Sequence, residues 1–223
     1  MSTDSTTTAN GFRAAHVSHH FKDATQEYDS GKQGIWLFMV TEILMFGAIL
    51  VGYAIFHHIY PDMFEEGAKS LDWKMGFINT LVLIFSSFTM AISISLIQQN
   101  KTKQAAMAMA TTILCGAVFM CIKYFEYSHK FHLGLYPGRF LDVAKVGAEH
   151  ANLGMYYGFY YCMTGLHGLH VLIGMGLITW LLIRTIRGDF HSQYWLPVEG
   201  VGIFWHIVDL IWIFLFPLLY LVG

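Results

Sequence analysis

Six ionisable side chains stand inside long apolar stretches of this 223-residue chain. Ionisable groups are costly at membrane depth, so a residue of this kind inside a predicted span is a functional hypothesis by default. Four of the six form two pairs three residues apart, a spacing that places both members of a pair on one face of a helix. The six residues are Glu42, Glu126, His167, His170, His206 and Asp209.

The two pairs, His167 with His170 and His206 with Asp209, could support three kinds of site. Imidazole and carboxylate groups are plausible ligands for a metal ion. They could also form a proton relay, or a network of hydrogen bonds that only joins helices. Because exposure to lipid would be costly, we expect both pairs to point into the interior of a helical bundle. The residue types alone leave the three alternatives open.

Glu42 is the one charged residue of the first predicted span. A buried carboxyl group is usually paired or neutral. One interpretation is a proton-handling acid, or half of a pair with a histidine on another helix. The other is a neutral acid that only holds helices together.

Glu126 and His129 match one Glu-x-x-His element of the di-iron carboxylate bundles. Such a site needs a second element of this kind and two further glutamates, and no other glutamate here has a histidine three residues later. Lys123 precedes Glu126 by three residues, which equally predicts a simple ion pair at the surface or the membrane interface.

The composition indicates a membrane protein. The chain is 55% hydrophobic and only 13% charged, whereas soluble domains average about 25% charged residues. Lipid is therefore the expected main solvent. A net charge of −2 provides no basic surface for nucleic acid. The cysteines Cys115, Cys121 and Cys162 lie in apolar runs without a CxxC motif, so we expect small buried hydrophobic residues.

The apolar stretches predict an all-α protein, a bundle of five transmembrane helices. A polar N-terminal tail, residues 1–32, precedes the membrane domain, residues 33–223, and lacks the apolar segment of a signal peptide. The distribution of Lys and Arg among the loops places the N-terminus in the cytoplasm and the C-terminus in the periplasm. Each span is long enough to cross the hydrocarbon core. The predicted spans are about 34–60, 76–97, 105–127, 153–183 and 200–222.

Three segments together resemble subunit III of the haem–copper oxidases. Residues 36–46, WLFMVTEILMF, are similar to the helix of that family that carries a buried glutamate. Residues 164–174, TGLHGLHVLIG, resemble its HGLHV signature, and residues 205–215, WHIVDLIWIFL, resemble its terminal WHFVDxxW helix. Glu199, seven residues before His206, and the pair Glu126-Tyr127 fit the same pattern.

The resemblance implies an accessory subunit of a proton-pumping respiratory oxidase of the cytochrome c oxidase type, in a bacterial plasma membrane. Such a subunit has no haem or copper of its own. It packs beside catalytic subunit I, which carries them, and near subunit II; it binds phospholipid, stabilises the catalytic subunit and supports its proton uptake. The resemblance also implies a buried polar network rather than a metal site, formed by Glu42, Glu126, His167, His170, Glu199, His206 and Asp209.

Alternative functions remain within and outside that family. A subunit III of a quinol oxidase or an accessory protein of a nitric oxide reductase would share the motifs. A free-standing membrane metalloenzyme using the His and Glu residues would instead contain stoichiometric metal.

Two features depart from the family pattern. Its usual member has seven helices in two bundles, with a lipid-filled cleft between them. Here the first two helices are lacking, so the cleft must be absent or completed by a neighbour. The connection over residues 129–152 is also longer than usual. Within the bundle, we expect His206 to find its partner on the fourth span.

Overall fold

The computed structural model describes residues 24–142, 153–192 and 194–221. It confirms the all-helical class and contains five helices long and apolar enough to cross a membrane. A short helix, α2, and a 3-10 turn, Gly138–Phe140, connect the long ones. The α-helices are α1 (Ala24–Ile59), α2 (Pro61–Lys69), α3 (Trp73–Gln98), α4 (Thr102–His132), α5 (Leu153–Arg187) and α6 (Leu196–Tyr220).

Helix ends differ most from the sequence prediction where polar residues continue a helix beyond its apolar stretch. Helix α1 begins at Ala24, inside the segment predicted as a polar tail, and α4 continues to His132. Helix α2 was not predicted. It begins with Pro61, a favourable first residue, and buries Phe64 and Ala68 on one side.

Four of the long helices form a ring. Helix α3 packs against α4, α4 against α5, α5 against α6, and α6 against α3. Helix α1 lies outside this ring against α5 and α6, where it buries Met39, Phe46 and Tyr53 at intervals of seven residues. We refer to the two ends of the bundle as the Glu199 end and the Tyr220 end, after residues near the two ends of α6.

Glycine permits the closest approach between α5 and α6. A Cβ atom on Gly174 would lie 2.6 Å from a ring carbon of Trp205. Trp205 is fully buried, and its Nε1 donates a hydrogen bond of 2.7 Å to Ser86 Oγ on α3. Gly176, two residues later, faces open space. Glycine therefore permits close helix packing at Gly174, whereas Gly176 takes no part in it.

The structure corrects the prediction that the three cysteines are buried. Cys121 and Cys162 are exposed on the outer surface of the bundle, and Cys115 is half-buried. Burial was expected because these residues lie in apolar runs. In a membrane helix, however, the face towards lipid is as apolar as the core, so composition does not separate the two.

Candidate functional site

Glu42 and His170 are in close contact between α1 and α5. Glu42 Oε2 lies 2.8 Å from His170 Nε2, and the two side chains are 14% and 10% exposed. The other ring nitrogen, His170 Nδ1, lies 2.7 Å from the carbonyl oxygen of Leu166. Because a carbonyl oxygen only accepts, Nδ1 carries a hydrogen. The predicted pairing of Glu42 with a histidine on another helix is confirmed.

The contact between Glu42 and His170 brings a carboxyl and an imidazole group together at membrane depth. Oε2 nevertheless has no hydrogen bond of good geometry among the described residues. Phe46 contacts the His170 ring edge-on, with centroids 5.2 Å apart, and limits the positions open to it. Imidazole and carboxyl groups are those that most often transfer protons in proteins, so the pair is a candidate site for proton transfer.

His167 lies in different surroundings from His170. It is fully buried inside the four-helix ring, with its ring 5.5 Å from that of Phe119 and 5.1 Å from that of Trp212. Neither ring nitrogen has a hydrogen-bond partner among the described residues. The two histidines share a broad face of α5, but they do not converge on a common ligand.

His206 has its partner on α3, not on the fourth span as expected. Its Nδ1 lies 2.5 Å from Ser87 Oγ. Asp209 is 2% exposed, and within the described ranges its carboxyl oxygens make no hydrogen bond of good geometry. The interior position predicted for this pair is thus confirmed for Asp209, while His206 is only partly buried.

Glu199 lies at the opposite end of the bundle from Glu126. Its Oε1 is 3.9 Å from Lys32 Nζ, and the two side chains are 21% and 40% exposed. Ion pairs of this length and exposure contribute little to stability. Glu199 therefore ties the start of α6 loosely to α1.

Glu126 is the centre of a buried charged cluster at the Tyr220 end. Its Oε2 accepts a hydrogen bond of 2.8 Å from Lys123 Nζ, and Lys130 Nζ lies 3.7 Å from Oε1. Tyr160 and Tyr220 each donate a hydrogen bond to Oε1, at 2.8 and 2.6 Å. The predicted Lys123–Glu126 pair is present, but it is enclosed by α5 and α6 rather than lying at the surface.

Aromatic rings complete the enclosure of the two lysines. Lys123 Nζ lies 4.5 Å from the ring centre of Trp212 and donates to Tyr220 Oη at 2.7 Å. Lys130 Nζ lies 5.0 Å from the ring centre of Tyr160. Such contacts replace part of the hydration that an ammonium group loses on burial. We refer to Lys123, Glu126, Lys130, Tyr160 and Tyr220 as the Glu126 cluster.

The seven residues predicted as one polar network occupy separate places. Only Glu42 and His170 are in direct contact. His167 lies in the ring core, the pair His206 and Asp209 faces α3, and Glu199 and Glu126 lie towards opposite ends. No group of three His, Cys, Asp or Glu side chains in the described part of the chain is close enough to hold a metal ion.

Several residues that contact these sites were not predicted from the sequence. Lys130 could have been found, because it follows Glu126 by four residues and so shares its helix face. Ser87, Tyr160 and Tyr220 gave no local signal, since each meets its partner only through tertiary packing.

Comparisons with known proteins agree with the sequence resemblance. The family model described as cytochrome c oxidase subunit III matches residues 144–223, which include all of α5 and α6. "Probable quinol oxidase subunit 3" of Staphylococcus haemolyticus (strain JCSC1435) is 26% identical over 209 residues, covering 94% of this chain and 97% of that protein. The protein of the same name from Staphylococcus aureus (strain USA300) shows the same identity and coverage. In these matches and in its five helices able to cross a membrane, the chain is similar to subunit III of the haem–copper oxidases.

Proposed function

We propose that this chain is the accessory subunit of a proton-pumping respiratory oxidase in a bacterial plasma membrane, and that it supports proton uptake by the catalytic subunit. The Glu42–His170 pair carries the proposal, because it brings a carboxyl group and an imidazole into contact at membrane depth, where ionisable residues are rare and usually functional. In this proposal the haem and copper lie in the catalytic subunit, and this chain supplies no ligand to them.

The position of the pair suits exchange with a neighbour. Both side chains are largely covered but retain some exposed surface, at 14% and 10%. The pair lies close to the surface of the bundle, where a polar group of an adjoining subunit could exchange a proton with it.

The exposed surface of α1 supports a structural role beside other subunits. Most of its circumference is open: Leu37 is 70% exposed, Leu44 66% and Val51 60%. The usual member of the family that this chain resembles has two further helices and a lipid-filled cleft. We propose that a neighbouring subunit and bound phospholipid cover this surface of α1 here, with catalytic subunit I in direct contact and subunit II nearby.

Glu42→Gln tests the proton role. The variant keeps a hydrogen-bonding side chain of the same size, so we expect normal assembly. We expect the rate of turnover coupled to proton uptake to fall, or to decline faster during sustained turnover. The decrease should be smaller than the factor of about 100 by which loss of a direct acid–base catalyst lowers a rate. Oxygen consumption and proton uptake by the purified complex in vesicles provide the measurement.

Thr41→Val is the matched control for that variant. Thr41 is exposed on the same helix, and its hydroxyl is bonded to the carbonyl oxygen of Phe38. This change should leave both measurements unaltered. If Glu42→Gln also kept wild-type kinetics over many turnovers, Glu42 would be a packing residue and the proton role would be refuted.

The comparisons suggest two different electron donors for the oxidase, cytochrome c and a quinol. The matching family model is described as cytochrome c oxidase subunit III, whereas the relatives that cover 94% of this chain are named "Probable quinol oxidase subunit 3". Oxygen consumption by the purified complex with reduced cytochrome c, and separately with a quinol, identifies the donor. Deleting this chain should weaken assembly or shorten sustained turnover with either donor, and full survival of both would contradict the accessory role.

A further inference from the structure

His206 presents a polar atom at the surface of the bundle. Its Nδ1 is engaged by Ser87, and the ring is only partly buried. The second ring nitrogen, Nε2, has no hydrogen-bond partner in residues 24–142, 153–192 and 194–221, and it is not among the side-chain atoms that are sealed inside the protein. Nε2 is therefore free to bond a group outside this chain.

This atom lies at the middle of the membrane-spanning region. His206 is near the centre of α6, and Ser87 is near the centre of α3. No water is available in the hydrocarbon core to satisfy a polar group. Leaving one unpaired there costs free energy, which favours a partner from outside the described residues. Acyl chains of lipids cannot supply one.

Other polar atoms on the outer surface of the bundle differ in this respect. The hydroxyl of Thr111 on α4 donates to the carbonyl oxygen of Met107 at 3.0 Å. The hydroxyl of Thr179 on α5 donates to the carbonyl oxygen of Met175 at 2.7 Å. Both are satisfied by their own helix and can face lipid. His206 makes no such bond through Nε2, which distinguishes the face formed by α3 and α6.

Exposed apolar side chains lie one and two helical turns from His206 on α6 and one turn from Ser87 on α3. Ile84 on α3 is 48% exposed, and Leu210 and Ile213 on α6 are 52% and 44% exposed. We refer to Ile84, Ser87, His206, Leu210 and Ile213 as the α3–α6 face. A single polar atom within an apolar membrane surface is the arrangement in which one interhelical hydrogen bond sets the register between packed helices.

We infer that the α3–α6 face docks a transmembrane helix of a neighbouring subunit, which places a polar side chain at mid-depth against His206 Nε2. The inference rests on the proposed function, since it requires that the chain be part of a multi-subunit membrane complex. It adds the face that is used and the chemistry of the contact. Ser87 positions the ring by holding Nδ1, which turns Nε2 outwards.

Photocrosslinking in the intact complex tests the face. A benzoylphenylalanine is placed at Leu210, and a matched one at Leu114, which is 65% exposed on α4 across the ring. The contact between Thr89 and Thr112, 2.8 Å between their hydroxyl oxygens, shows that this part of α4 lies at the same depth as the centre of α3. We expect irradiation to join Leu210 to another subunit in high yield and Leu114 to lipid. Equal protein crosslinking from both positions, or none from Leu210, would overturn the inference.

Substitutions test the hydrogen bond. His206→Leu removes Nε2, and we expect retention of this chain in the detergent-purified complex to fall roughly tenfold, the factor that corresponds to one hydrogen bond between membrane helices. Ser87→Ala frees the ring to rotate, so we expect a smaller loss than in His206→Leu. Thr179→Val removes a hydroxyl that its own helix satisfies and should retain the chain. Full retention in His206→Leu, or an equal loss in Thr179→Val, would refute the contact.

Failure of the inference can be separated from failure of the proposed function. If a complex purified through its haem-containing subunit lacks the wild-type chain altogether, the proposed function fails. If the wild-type chain is present but Leu210 does not crosslink, only the α3–α6 face is wrong.

Discussion

Glu126→Ala should destabilise the protein by about 3 to 5 kcal/mol, the usual cost of removing one member of a buried ion pair. The carboxylate is 5% exposed and is the acceptor for Lys123, Tyr160 and Tyr220. Without it, two ammonium groups and two hydroxyls remain buried with no anion. The thermal midpoint of the purified protein or complex should fall by roughly 10 °C, measured as loss of folded protein on heating.

Two controls separate charge burial from general loss of contacts. Glu65→Ala breaks the pair with Lys69, whose atoms are equally close at 2.7 Å but whose side chains are 54% and 72% exposed. We expect no measurable change there, since water already solvates both groups. Replacing Lys123, Glu126 and Lys130 together by methionine removes every charge and should recover much of the stability lost in Glu126→Ala. A wild-type midpoint for Glu126→Ala, or a triple variant as unstable as the single one, would contradict this explanation.

The Glu126 cluster also shows why its burial could not be read from the sequence. The end of α4 contains Lys123, Glu126 and Lys130 within eight residues, a composition typical of a solvated helix end. The groups that enclose it come from α5 and α6, with Tyr160 separated from Glu126 by 34 residues and Tyr220 by 94. Residue spacing along one helix contains no information about such long-range contacts.

For the histidines of α5 as well, the sequence spacing predicted the helix face but not the contacts. Spacing correctly placed His167 and His170 on one side of the helix. Three residues of an α-helix nevertheless turn the chain so that the two side chains point about 60° apart. Helix α5 lies between α1 and the ring core, so this difference directs His170 to Glu42 and His167 to Phe119. Pairing of Glu42 was predictable from the cost of a lone charge; the choice of partner was not.

The five spans were predictable because the hydrocarbon core imposes both length and composition. Their ends were not, since outside that layer a helix continues on its own backbone hydrogen bonds, as α1 does from Ala24. The orientation of apolar side chains was equally hidden. Cys162 faces outwards and Met163, its neighbour, is fully buried, although both lie in one apolar run.

Gly174→Leu should separate α5 from α6 and cost about 3 kcal/mol, at the upper end of what overpacking a core usually costs. The added side chain would enter the space of Trp205, since even a Cβ atom there would lie 2.6 Å from the indole ring. The ring cannot move aside, because it is fully buried and bonded to Ser86 at 2.7 Å. A lower thermal midpoint and a lower yield of assembled complex measure the effect.

The control for Gly174→Leu lies on the same helix. Gly176→Leu introduces the same side chain into open space, where replacing glycine favours the helix by up to about 1 kcal/mol. Helix α1 rests on both α5 and α6, so parting them in Gly174→Leu should also draw His170 away from Glu42 and reproduce the proton-uptake defect of Glu42→Gln. If Gly174→Leu behaved like Gly176→Leu, the close contact between α5 and α6 would not exist, and the Glu42–His170 geometry that depends on it would have to be revised.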